Sequence, residues 1–231
     1  MNNILTIIPA RGGSKRVAGK NKKVLLNKPL VAWSIEQAIA LESMCSIVST
    51  DDADIADIAR ECGITSFMRS AEYATDISSV IDVVFEVLDF YESKKQHFDA
   101  VLLLQPTSPF RTTESIKQAI ALFEKGGGES VVSVSLGSAH PHWCKTVENG
   151  VLMSFSEGFD ASVRSQDLPD VYQLNGSIYL SSVENLKRTQ SFYSENTQAL
   201  IIDSEEETLD IDTPFDWLVA EAIAKKIKDD T

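Results

Sequence analysis

Short aliphatic and β-branched runs alternate with longer segments of helical period along most of the chain, and few architectures accept that order. NILTIIP reads as a buried first strand, and PLVAWSIEQAIALE as a helix with Pro29 near its start. SIVST, ITSFM, DAVLLLQ and SVVSVS read as further strands. Between them stand three helical segments. DADIADIAREC puts Ile55, Ile58, Ala59 and Cys62 on one face; SSVIDVVFEVLDFYES is longer; TESIKQAIALFEK opens at Thr112 or Thr113 as cap. Strands alternating with helices predict an α/β fold with a doubly wound, mainly parallel sheet. GSIYLSS and TQALIID return to strand, and TPFDWLVAEAIAKKIK is a closing amphipathic helix. Residues 137–173 interrupt this order with three Gly, two Pro and little helical period. So long a break predicts a functional excursion or a dimerisation arm. The expected organisation is one domain, 1–231, carrying an inserted arm at 137–173.

Charge is distributed unevenly. The chain carries a formal −13, yet Arg11, Lys15, Arg16, Lys20, Lys22 and Lys23 fall within thirteen residues, and Glu36 is the first acid. With Lys28, the first thirty residues hold seven cations, leaving 14 basic against 34 acidic residues, or −20, on the remaining 201. That asymmetry predicts an anionic ligand at the basic loop. It argues against general nucleic-acid binding, which needs a broad basic face. No apolar run is long enough for a bilayer, and the first residues lack signal-peptide form. Cys45, Cys62 and Cys144 are odd in number and without CxxC spacing, which predicts no disulfide framework or zinc knuckle and a cytoplasmic location. His140 and His142 can be read as metal ligands, but even with Cys144 they fall short of the four ligands of a structural zinc site.

In a doubly wound sheet, ligands sit beyond the carboxyl ends of the strands. The loops to inspect are therefore PARGGSKRVAGKN, TDD after the second strand, QPTSPFR after DAVLLLQ, and LDID before the last helix. Gly12 and Gly13 allow successive amides to turn toward one anion, as in a phosphate nest; a solvated basic turn is the bland alternative. Five residues separate Gly13 from Gly19 and Asn21 follows Lys20, so the loop is not a Walker A motif; GxGxxG is absent too.

PARGGSKRVAGKN closely resembles the opening signature of the cytidylyltransferases that activate sialic acids and related nine-carbon acids. RSAEYATD at 69–76, LLQPTSPFR at 103–111, LNGSIYL at 174–180 and TLDIDT at 208–213 resemble the later blocks, in family order and spacing. Together they cover nearly the whole chain, which is similar to the CMP-sialic acid synthetase (N-acylneuraminate cytidylyltransferase) family. Departures occur at Arg16, where glycine is usual, at Ala18, where proline is usual, and at Ser70 and Tyr73 in the second block.

The resemblance implies a Rossmann-like nucleotidyltransferase that joins CTP to a nine-carbon sialic-type acid, with Mg2+ or another divalent cation as cofactor and a homodimer as the working form. It implies triphosphate contacts from Arg11, Gly12, Gly13, Ser14, Lys20 and Asn21, and cytidine contacts from Arg69 and Ser78 or Ser79. Sugar contacts are implied for Gln105, Arg164 and Asn175, and an aromatic wall for Tyr179, Phe192 and Tyr193. Lys145 matches an arm lysine that reaches a neighbouring site, and Arg111 is left a structural role. In an extended LDID, Asp210 and Asp212 face the same way and meet one cation, unless either merely caps the last helix. Arg11, Lys20, Asp210 and Asp212 are the catalytic candidates, with Asp212 also a candidate base. N-acetylneuraminic acid is the expected sugar and N,N'-diacetyllegionaminic acid the second. A non-catalytic nucleotide-sugar-binding paralogue is the other class, against which the retained carboxylate pair argues.

Overall fold

The computed structural model describes residues 3–41, 44–70, 79–155 and 164–229. A seven-stranded sheet forms the frame, in the order β11-β7-β10-β6-β1-β4-β5. Its strands are β1 (Ile4–Pro9), β4 (Cys45–Thr50), β5 (Thr65–Met68), β6 (Ala100–Leu103), β7 (Ser130–Leu136), β10 (Tyr172–Ser182) and β11 (Gln198–Ile201). β10 runs antiparallel to both neighbours, and the other described pairings in this sheet are parallel. The predicted mainly parallel sheet is therefore present, with helices on both faces.

Strand alternation sorts the core. On β1, Leu5 and Ile7 pack against α3 (Val80–Ser93) and α5 (Val183–Thr189). Ile4 and Ile8 face α1 (Leu30–Ile39), α2 (Ala53–Glu61) and α4 (Thr113–Lys125). The caps are chemical stops: the Asp52 carboxylate opens α2, Ser79 and Asp82 form a capping box on α3, and the Thr112 hydroxyl accepts from the Ser115 amide to start α4.

A third apolar cluster positions the site. Val17, Leu25, Leu30, Phe110 and Ile211 pack with Trp217, Ala220 and Ala224 of α6 (Pro214–Asp229). β2 (Val24–Leu25) and β3 (Lys28–Pro29) form a short hairpin beneath it. Side chains from the basic loop, the QPTSPFR turn and the LDID segment thus share one small core.

The region 137–173 contains a hairpin, β8 (Lys145–Glu148) with β9 (Val151–Ser154), and its last two residues belong to β10. The sequence did not announce this hairpin or α5. No helix among the described residues is long and apolar enough to cross a membrane.

Candidate active site

The carboxyl ends of β1 and β6 lie side by side, where the chain has wound first to β4 and β5 and then back across β1. Such a reversal opens a crevice. A cleft of about 310 Å³ occupies it, lined by Arg11, Ser14, Lys15, Arg16, Lys20 and Asn21 of the first loop, Arg69, Ser79, Gln105 and Thr107, and Asp212. Five cations therefore face one carboxylate among the described lining residues.

The seven early cations divide in two. Arg11, Lys15, Arg16 and Lys20 line the cleft. Lys22 instead bridges Asp52 and Asp54 at 2.8 Å each, Lys23 stands 4.0 Å over the Trp217 ring, and Lys28 pairs with Glu36 above Trp33. The hydrogen bonds that Lys22 donates to Asp52 and Asp54 push its pKa up. Three of the seven hold the chain down around the loop, and four charge the cleft.

The Gly12 amide donates to Asp51 Oδ1 at 2.8 Å, and Ser14 N donates back to the Gly12 carbonyl at 3.0 Å. The Gly12 and Ser14 amides are thus engaged within the chain, and neither Gly12 nor Gly13 lines the cleft. Gly12 is required for close approach: a Cβ there would stand 2.5 Å from Asp52 Oδ2. Asn21, buried, donates from Nδ2 to the Arg11 carbonyl at 2.8 Å and braces the loop from within.

Lys20 joins the two segments. Its buried ammonium donates to the Ile211 carbonyl and lies 3.2 Å from Asp212 Oδ1, while Arg16 Nη2 lies 3.1 Å from Asp212 Oδ2. Ile211 is fully buried, its amide donating to the Thr107 carbonyl at 2.8 Å; of the two acids beside it, Asp212 lines the cleft and Asp210 does not. The capping role falls to neither carboxylate. Thr213 and Asp216 form the box at the start of α6, with Asp216 Oδ2 also accepting from the Asp212 amide at 3.0 Å. Both candidate acids are left free of helix duty.

Asp210 lies beside the bulge in β10. Leu174 faces Val134 and Tyr179 faces Val132, five steps against two, and the extra residues loop out through Gly176 at φ +75°. A Cβ on Gly176 would contact Asp210 Oδ2 at 3.6 Å and Ser108 Oγ at 3.8 Å, so the bulge borders that carboxylate closely. Asp210 is open to solvent on one side, but crowding by protein on the other raises its pKa. A hydrogen bond from Thr107 opposes the shift and the charge of Asp212 adds to it. An acid whose folded pKa lies above its unfolded value costs stability while ionised, and the cost is recovered as pH falls through the folded pKa. Asp210→Asn is therefore expected to raise the thermal midpoint at neutral pH by about 1–2 °C, with the gain shrinking toward acid, as calorimetry across pH would show.

Asp210 and Asp212 are the residues that could hold a divalent cation. Two carboxylates project from one short segment, and Asp212 already carries an ammonium and a guanidinium on its two oxygens. No cluster of three or more His, Cys, Asp or Glu occurs among the described residues. Such a pair suits magnesium, which commonly takes one or two carboxylates and completes its shell with substrate phosphates and water.

The remaining candidates are spread along the cleft and beyond it. Arg69, largely buried, donates to Ser49 Oγ at 2.9 Å and to the Ser49 carbonyl at 2.8 Å; burial depresses its pKa. Ser79 lines the cleft as the cap of α3. Ser78 lies outside the described residues. Asn175 is buried, its Oδ1 accepting from Ser133 Oγ at 2.6 Å and the Ser177 amide at 3.1 Å, while its Nδ2 and the Ser108 hydroxyl have no partner. Tyr179, Phe192 and Tyr193 stack with centroids 5.7 and 6.3 Å from Tyr179, and burial raises the Tyr179 pKa, with Tyr193 and Asp210 adding. None of these three lines the cleft, nor does exposed Arg164, whose carbonyl accepts from the Asp167 amide at 3.0 Å. Lys145 sits on β8, 3.4 Å from Ser154 Oγ. Arg111 is buried, donating to the Gln105 carbonyl and, at 3.1 Å, to Ser34 Oγ; burial lowers its pKa to about 9 against the opposing charge of Asp210. It braces the turn that presents Gln105. Thr107 and Lys15 were not singled out from the sequence, although both stand inside the motifs that were.

Comparisons with known proteins bear on the family and the fold. The cytidylyltransferase family model matches residues 5–212. The CMP-N,N'-diacetyllegionaminic acid synthase of Legionella pneumophila is 44% identical over 95% of both chains. The N-acylneuraminate cytidylyltransferases of Streptococcus agalactiae and Escherichia coli are 34% and 32% identical over 93% and 96% of this chain, which spans about half their length. Among solved structures, a CMP:2-keto-3-deoxy-manno-octonic acid synthetase complexed with CTP superposes with a TM-score of 0.71, at 19% identity, over 97% of this chain and 99% of that one. It shares the fold. With a family model spanning most of the chain and a relative matched nearly end to end, the chain belongs to the cytidylyltransferase family, among the CMP-sialic acid synthetases.

Proposed function

We propose that the protein transfers CMP from CTP to the anomeric 2-hydroxyl of a nine-carbon sialic-type acid and releases pyrophosphate. The observation that carries this reading is the meeting of the cationic loop with Asp212 through Lys20, 192 positions apart. Arg11, Ser14, Lys15 and Lys20 are placed to hold the triphosphate, and neutralised phosphate charge lowers the barrier to displacement. The sugar oxygen forms a bond to the α-phosphorus as the bond to pyrophosphate breaks. A divalent cation bound at Asp210 and Asp212 would supply charge neutralisation and lower the pKa of the hydroxyl. The hydroxyl proton passes to a carboxylate. The unpartnered Asn175 Nδ2 and Ser108 Oγ, near Asp210, are donors for the acceptor sugar. The compartment implied is the cytoplasm.

For the sugar, N,N'-diacetyllegionaminic acid takes precedence over N-acetylneuraminic acid, supported by the higher identity and fuller coverage of the legionaminic relative. The neuraminate relatives support N-acetylneuraminic acid as the second reading. Pyrophosphate release from CTP with the two acids in competition tests both. No release with either would leave a nucleotide-sugar binder.

The arm is part of this proposal. Trp143, Val147, Val151, Leu152, Met153 and Phe155 are exposed, Leu152 by 71%, and so many apolar side chains on one hairpin call for cover. A second copy of the chain supplies it. Leu152→Asp is expected to turn a dimer into a monomer in sedimentation equilibrium; a wild-type monomer at micromolar concentration would end the dimer reading.

A further inference from the structure

Arg16 stands where the family resemblance leads one to expect glycine, and it has no part in the chemistry described above. Its side chain is 68% exposed, yet Nη2 lies 3.1 Å from Asp212 Oδ2. The other oxygen of that carboxylate is held by Lys20 at 3.2 Å, so both binding positions of Asp212 are covered by cations of the chain itself. The two cations differ in freedom. Lys20 has a side chain only 10% exposed and is anchored on the Ile211 carbonyl. Arg16 is solvated, and an exposed ion pair contributes little, the less so as salt screens it. A grip that weak is readily exchanged. Arg16 also lines the same cleft as Arg11, Ser14 and Lys15, so a guanidinium leaving Asp212 remains among groups facing any anion bound there.

We infer that Arg16 is an exchangeable placeholder: it covers Asp212 in the nucleotide-free protein and moves to the polyphosphate when a divalent cation takes the carboxylate. This rests on the reading of Asp210 and Asp212 as metal ligands. The exchange keeps Asp212 paired in both states. It also makes Arg16 a residue that opposes metal binding alone and favours nucleotide binding, two effects of opposite sign that general damage to the loop would not produce.

The test uses the full chain without sugar acid, so nothing turns over. Mn2+ binding is read by electron paramagnetic resonance, and CTP binding by calorimetry in EDTA, for wild type, Arg16→Gln and Asp212→Asn. Arg16→Gln is expected to tighten Mn2+ about twofold to fivefold, the scale of one exposed charge pair. The same change should weaken metal-free CTP about tenfold, the scale of a charge-assisted hydrogen bond. Unchanged or weaker Mn2+ binding in Arg16→Gln, or unchanged CTP binding, overturns the placeholder. Asp212→Asn distinguishes the two readings. If it weakens Mn2+ while Arg16→Gln changes nothing, only the placeholder falls; if it leaves Mn2+ binding intact, the metal reading falls and the placeholder with it.

Discussion

Asp212→Ala and Asp210→Ala are each expected to cut turnover by about 10²–10³, the loss typical of removing one group that stabilises transition-state charge. The two substitutions act at different atoms. Asp212→Ala takes away the carboxylate held by Lys20 and Arg16, leaving two cations with no acid between them. Asp210→Ala removes the carboxylate beside the Gly176 bulge. Neither should unfold the protein, because the start of α6 is capped by Thr213 and Asp216 and the segment is anchored by Ile211. Pyrophosphate release measured beside thermal midpoints makes the separation: a large loss of rate with midpoints within a few degrees supports a chemical role. Near wild-type turnover in both variants would remove the carboxylate pair from the mechanism.

Trp217→Ala is expected to destabilise the protein by about 3–5 kcal/mol, lowering its thermal midpoint by about 10 °C. Trp217 is 2% exposed, packs with Val17, Leu25, Phe110 and Ile211, donates from Nε1 to Glu221 at 2.8 Å and carries the Lys23 ammonium over its ring. Ring loss leaves a void between the basic loop and the acidic segment. A second readout follows from that location. At a temperature where the variant is still folded, its affinity for CTP should fall, whereas an equal-sized cavity under α4, such as Phe123→Ala, should cost stability and leave CTP affinity unchanged. Equal affinities in the two variants would show that the small core does not hold the cleft in shape.

The sheet was legible because burial on both faces forces nearly continuous apolar strands, and the intervening helices are long enough to show their period. The orientation of β10 was not, since GSIYLSS has the same alternation whichever way its strand runs. α5 spans seven residues, too few for a period to emerge. β8 and β9 expose every residue, so neither face is marked as inner. At the site, the motif blocks identified which segments converge, but not the division of labour within them. Spacing alone could not reveal that Lys22, Lys23 and Lys28 serve the loop's own anchoring, or that Gly12 makes room for Asp52. Nor could it show that Asp216 relieves Asp212 of capping. Those distinctions depend on neighbours distant in the chain.

The small core beneath the cleft has a consequence for biosynthesis. On the ribosome, residues 11–23 emerge long before Ile211 and Trp217, and until those two arrive the cluster around Val17 and Leu25 is only partly assembled. The nascent polypeptide therefore lacks a finished nucleotide pocket through most of its translation, whatever part of the sheet has already paired. The cleft takes its final form late, once α6 docks.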